Sequence, residues 1–197
     1  MKRFVGPAAA LTLALASVLA PVARAQAPKE TPKEAAAKPA YTADVRGSIL
    51  FQIDQARDKL VALAEAIPAE KYAWRPGEGV RSAGEVFNHV SGSNYFFPTL
   101  WGAKVPAGVD PRTFEKQLSG DKAKTVETLK QSFEQARKEI QAVPEADLGR
   151  KIKIFGNDAT VRDAMLIIAT HAHEHLGQAI AYARSNGVVP PWSAKGQ

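Results

Sequence analysis

The run from Thr160 to Ser185 constrains this chain more than any other stretch. Its apolar residues Val161, Ala164, Met165 and Ile168, resuming at Ala179 and Tyr182, recur at spacings of three and four. That spacing marks one face of an amphipathic helix. Thr160 with Asp163 three residues on is a helix-start cap, Asn186-Gly187 is a stop, and Pro190-Pro191 prevents continuation. Three of the four histidines lie inside it, at His171, His173 and His175. At ~3.6 residues per turn, His171 and His175 stand only about 40° apart around the axis, one above the other on the apolar face. His173 is rotated roughly 200° from His171 and looks the other way. A chain carrying this helix must bury a stripe that holds two stacked imidazoles.

The remaining periodicities supply the partners. From Thr42 onward, Val45, Ile49, Ile53, Ala56, Leu60, Leu63 and Ile67 repeat at helical spacing until Pro68. A turn-rich connector follows, in which Trp74 is expected to cover the core. Ser82-Ala83-Gly84-Glu85 is a capping box, and the helix it opens carries Val86, His89, Val90, Ser93, Phe96, Phe97 and Leu100 at core positions. Residues 98–120 read as irregular, with Pro98, Pro106 and Pro111, and so long a connection suggests the rim of a site. Another helix spans about Asp121 to Val143, with Val126, Leu129, Phe133, Ala136 and Ile140 on one face and Pro144 closing it. Lys151–Phe155 alternates like a strand without an evident partner and is read as an extended part of the loop. The fold class expected for residues 42–197 is all-α, an antiparallel four-helix bundle with a long crossover loop.

Residues 1–25 read as a signal peptide: Lys2 and Arg3, an apolar Ala8–Ala20, then Ala23-Arg24-Ala25 as the small-x-small cleavage pattern. An uncleaved anchor is the alternative, since the apolar stretch approaches the ~20 residues of a span. Pro7, Pro21 and the cleavage pattern favour removal, leaving a periplasmic or secreted protein without a membrane segment. Residues 26–41, rich in Pro, Ala and charge, read as a disordered linker. With no cysteine there is no disulfide and no lipid-anchored thiol. Loss of Lys2, Arg3 and Arg24 takes the net charge from +6 to about +3. The cations are dispersed among Asp and Glu, which argues against nucleic acid as a partner.

The chemistry centres on imidazole. His171 and His175 offer two metal ligands from one helix, and His89, inward on another, is the candidate third. A Zn²⁺-like ion takes imidazole nitrogen at ~2.0–2.1 Å, and catalytic sites use three protein ligands with one position open. Ni²⁺ or another divalent transition metal would also suit these nitrogens. A polar cluster held by hydrogen bonds is the competing reading, but it leaves costly buried imidazoles in an apolar bundle. A zinc-protease His-Glu-x-x-His is excluded, because Gly177 stands where the second ligand would follow His173-Glu174. Ser93, Asn94, Gln178 and Tyr182 could orient the ligands, and His173 is expected beside the site or at an interface. Ser91 and Ser93 have no base arranged beside them.

The pattern His-x-x-x-His-x-Gly-Gln at 171–178, followed by Tyr182, Arg184, Gly187 and Pro190-Pro191, resembles the last helix of the DinB-like (DinB/YfiT) metalloenzyme superfamily. Trp74-Arg75-Pro76 and Asn88-His89-Val90 match it as well, so the resemblance covers about residues 45–192. It implies a four-helix bundle with a three-histidine divalent site on His89, His171 and His175. It also implies thiol-dependent transferase or isomerase chemistry on a small molecule, and by analogy a homodimer. A metal-dependent hydrolase and a non-catalytic metal-binding or interaction module are the alternatives. The export signal weighs against the thiol reading, since small thiols are chiefly cytoplasmic reagents.

Overall fold

A computed structural model describes residues 41–193. The expected leader, and the linker up to residue 40, lie outside the described residues. Among those described, five α-helices and one hairpin follow in the order α1 (Val45–Ala66), α2 (Ala83–Phe96), α3 (Phe114–Leu118), α4 (Lys122–Ala142), β1 (Lys151–Ile154), β2 (Asn157–Thr160) and α5 (Val161–Ser185). No helix among them is long and apolar enough to cross a membrane.

The helix starts are set by local chemistry. Ser82 Oγ accepts from the Glu85 N–H while the Glu85 carboxylate accepts from the Ser82 N–H at 2.6 Å. Thr160 and Asp163 make the same reciprocal cap on α5, and the Asp44 and Asp121 side chains cap α1 and α4. Each cap satisfies N–H groups that the first turn leaves without an intrahelical partner.

The four long helices bury one core. Ile49, Ile53, Leu60 and Leu63 of α1 meet Val86, Phe87 and Val90 of α2, Leu129, Phe133 and Ile140 of α4, and Ala164, Met165, Ile168 and Leu176 of α5. Each such side chain is stabilised by about 1.5–3 kcal/mol on burial. Two residues placed on core faces by periodicity are exposed instead. Val45 sits at the first helical position of α1, and Phe96 turns outward to stack on Phe155.

α1 and α4 run in opposite directions, as the Arg57–Glu134 and Arg46–Glu145 ion pairs show. α2 and α5 are likewise antiparallel, with Trp74 against Tyr182 at one end and Phe97 against His171 towards the other. The 97–121 crossover lets α2 and α4 run in the same direction, joined by Asn88–Thr125 and Asn94–Ser132 hydrogen bonds of 3.1 Å. Where an irregular loop was expected, that crossover contains 3₁₀ turns and α3.

The extended Lys151–Phe155 stretch does have a partner. Lys151–Ile154 pairs antiparallel with Asn157–Thr160, through a turn at Phe155 and Gly156. β2 is short, largely polar and ends on Thr160, the α5 cap, which hid it from a periodicity reading. The α1–α4 seam also holds a buried carboxylate. Asp54, only 2 % exposed, pairs with Arg57 at 3.0 Å, with Arg137, and accepts from the Tyr41 hydroxyl at 2.8 Å. Tyr41, assigned to the end of the linker, is therefore packed on α1.

Removing Asp54 would leave the Arg137 guanidinium without its anion and Arg57 with only its exposed partners Asp58 and Glu134. Asp54→Ala is expected to cost about 3 kcal/mol in denaturant unfolding. The α5 cap carries a pH dependence. Hydrogen bonds from the Thr160 hydroxyl and N–H hold the Asp163 carboxyl below its ordinary range. A depressed carboxyl stabilises the fold above its unfolded pKa, and that contribution is lost as pH falls through the folded value. Thr160→Ala should cost about 1 kcal/mol at neutral pH, and the difference from wild type should shrink as unfolding is repeated at acid pH.

Candidate metal centre

The antiparallel contact of α2 with α5 brings the three histidines together. One ring nitrogen from each of His89, His171 and His175 lies within 4.8 Å of the other two. The ring centroids are 4.4 Å apart for His171 and His175, 4.7 Å for His89 and His175, and 5.1 Å for His89 and His171. Nε2 of His89 faces Nε2 of His171 at 3.2 Å. Two nitrogens on one tetrahedral ion, with bonds of ~2.0–2.1 Å, would stand about 3.3 Å apart.

Hydrogen bonding settles which nitrogens are bare. His89 Nδ1 lies 2.7 Å from Glu115 Oε1, and a carboxylate can only accept, so Nδ1 carries the proton and Nε2 of the neutral ring is free. His175 Nδ1 donates to Gln178 Oε1 at 2.8 Å, and the Gln178 amide nitrogen donates to the Tyr182 hydroxyl at 3.0 Å. His175 Nε2 is therefore bare as well. Ligating imidazoles are held in this way, by an acceptor on the far nitrogen that fixes tautomer and ring plane.

The electrostatics agree. Burial, reinforced by the charges of His175, His89 and Arg81, pushes His171 down to about 3. Burial also lowers His89, although its bond to Glu115 opposes the shift. Burial works to raise Glu115, but hydrogen bonds from Arg81 and His89 outweigh it and hold the carboxyl below its usual range. At neutral pH these two imidazoles are uncharged and Glu115 is an anion, which is the protonation a divalent cation requires. The donor set fits a transition metal.

Glu115 comes from α3, and close packing of the crossover on α2 delivers it. A Cβ at Gly84 would stand 2.2 Å from the Ser119 carbonyl oxygen, and one at Gly92 would stand 2.9 Å from that of Pro111. These two glycines bracket His89 and let the chain lie flat over it. Arg81 donates to Glu115 at 2.8 Å from outside. Sequence reasoning missed both Glu115 and Arg81. The one signal was indirect: a ligand imidazole needs an acceptor, and a long connection was available to supply it.

The other candidates divide. Gln178 and Tyr182 form the chain behind His175, and Ser93 Oγ lies 3.4 Å from His171 Nε2. Asn94 instead bonds Ser132 in the α2–α4 seam. His173 faces away and reaches the Gln52 carbonyl at 3.1 Å, fastening α5 to α1. Trp74 is half-buried against Tyr182, covering the core as expected. A cavity of about 190 Å³ adjoins the centre, lined by His89, Ser93, Phe96, Pro111, Arg112 and Glu115 among others.

The chain belongs to the DinB superfamily, whose sequence model matches residues 52–179. Three solved structures share the fold. A DinB-like protein from Bacillus cereus superposes with a TM-score of 0.64 at 14% identity, covering 73% of this chain and 93% of its own. The DinB-like protein YjoA from Bacillus subtilis gives 0.56 at 22% identity, covering 72% and 93%. YfiT from Bacillus subtilis, described as a probable metal-dependent hydrolase with an unusual four-helix bundle topology, gives 0.58 at 14%, covering 77% and 94%. None of the curated proteins matches the chain.

Glu115→Gln and Gln178→Ala should each weaken divalent-metal affinity by about 10–100-fold with the helix content unchanged. Asn94→Ala should lower stability and leave that affinity alone. Calorimetric metal titration beside thermal unfolding distinguishes the two.

Proposed function

We propose that this is an exported metalloenzyme holding Zn²⁺ on His89, His171 and His175 and activating a small-molecule thiol for transfer. The reading rests chiefly on three convergent imidazoles of which two have bare nitrogens fixed by acceptors behind them. A bound ion would supply Lewis acidity, holding a thiol as its thiolate or lowering the pKa of a water.

The protein's own groups do the rest. Glu115 and Gln178 hold the rings of His89 and His175 in register. The Glu115 anion would offset part of a bound ion's charge. Phe97, edge-on to His171, borders the centre with apolar surface.

Export argues against a thiol, but the geometry of the site weighs more, and there the state of Glu115 argues for thiol over water. Its oxygens are occupied by His89 and Arg81, so it is not free to take a proton from a nucleophile. A thiol would need no such base, because coordination would lower its pKa enough for its proton to pass to solvent. Hydrolysis is the second reading, suggested by the description attached to YfiT. Export is supported by the Lys2-Arg3 start and the Ala23-Arg24-Ala25 cleavage pattern.

Purified protein should bind one equivalent of Zn²⁺, and His89→Ala should lose both the metal and turnover. Turnover of electrophilic substrates that appears only with added thiol is the expected result. Turnover of esters or amides without thiol would replace this reading with the hydrolase, and tight metal without any turnover would leave a binding module. Mass spectrometry of protein recovered from the expressing cell should find a mature start at Gln26.

A further inference from the structure

One exposed residue, packed on the Phe96 and Phe97 rings that adjoin the centre, is built against the local rules of folding. Phe155 has φ 49° and Gly156 φ 87°, the two positive values a tight two-residue hairpin turn requires. Asn or Asp commonly fills the first of these positions because a bulky L side chain is strained there. Phe155 recovers little by burial, since it is 73 % exposed. A strained, solvent-facing aromatic on a hairpin of eight strand residues is not explained by stability.

Its position is specific. The Phe155 ring lies nearly parallel to that of Phe96, 6.2 Å away at an interplanar angle of 17°, and stands edge-on to Phe97 at 6.5 Å. Phe97 in turn lies edge-on to His171 at 5.5 Å. Phe96, 41 % exposed, also lines the cavity that holds His89, Ser93 and Glu115. Phe97, only 5 % exposed, backs these rings, so the apolar surface open between the cavity and the hairpin tip is that of Phe96 and Phe155. Across the cavity the lining is Pro111 and Arg112 of the crossover.

We infer that Phe155, with Phe96 and backed by Phe97, is the specificity surface for the molecule whose donor atom reaches the metal, and that this molecule carries an aryl group. The inference rests on the proposed thiol-binding metal centre. It adds the chemical class of the ligand and the residue that selects it. A flat apolar group laid on this surface covers the exposed ring faces, and aromatic pairing adds selectivity beyond area alone.

The test uses Co²⁺-loaded full-length protein, whose thiolate charge-transfer absorption reports a thiol at the ion. Phenylmethanethiol and 2-mercaptoethanol are titrated as a pair. Wild type should prefer the phenyl-bearing thiol by about three- to tenfold. Phe155→Asn should erase most of that preference while leaving Co²⁺ affinity and 2-mercaptoethanol binding unchanged. Asn tolerates positive φ, so thermal stability should hold or rise. Equal binding of the two thiols to wild type overturns the inference and leaves the thiol-binding centre standing. A fall in stability with the preference retained in Phe155→Asn overturns it too, making Phe155 a structural anchor of the hairpin. Failure of wild type to bind 2-mercaptoethanol or to take up Co²⁺ overturns the centre and the inference together.

Discussion

The contact that everything else serves is the approach of His89 on α2 to His171 and His175 on α5. Three imidazoles at this distance, partly withdrawn from water, cannot all be cations without strong repulsion. With the Nδ1–H groups of His89 and His175 donating to Glu115 and Gln178, their bare Nε2 atoms converge near a third imidazole. Bare nitrogens gathered in a low-dielectric setting are unfavourable until a cation lies among them. The polar cluster is tolerable in a bundle because the apolar core around it is large and the acceptors behind it are fixed.

The division of labour between helices and connections is consistent. The long helices supply the imidazoles, whose positions on rigid rods need only the antiparallel packing of α2 and α5. The connections supply what touches them. The crossover brings Glu115 through α3, and the hairpin brings Phe155 to the neighbouring rim. Both connections are tied to the bundle backbone: the crossover by close approach at Gly84 and Gly92, the hairpin by its end on the α5 cap. Variation in those two segments could alter orientation and selectivity without disturbing the ligands.

This division also decides what the amino-acid sequence disclosed. Periodicity and caps are local, so the long helices and the inward faces of His89, His171 and His175 were legible from spacing alone. Glu115 was not, because its place depends on how a Pro-rich crossover folds back over two glycines. The β2 strand escaped notice because Asn157-Asp158-Ala159-Thr160 has no apolar alternation and its last residue doubles as a helix cap. The Phe155-Gly156 turn lacks the Asn-Gly or Asp-Gly signature that announces a hairpin. Asp54 was hidden for a different reason. A carboxylate inside a helical repeat reads as surface, and only the tertiary arrival of Arg137 and Tyr41 makes it core.

The engagement of Glu115 bears on what kind of chemistry such a centre can run. A carboxylate that accepts from both an imidazole and a guanidinium is held ionised, and protonating it would break both bonds. It is suited to fixing a ligand ring and balancing charge, and poorly suited to passing protons during turnover. Ser93 has the His171 ring nitrogen 3.4 Å from its hydroxyl, but burial pushes that imidazole down to about 3, too weak a base to make the serine a nucleophile. A site with well-fixed ligands, an apolar wall and no free proton carrier of its own places the burden of activation on whatever ion it holds. Nucleophiles that the ion alone can deprotonate are then favoured over those that need help from the protein.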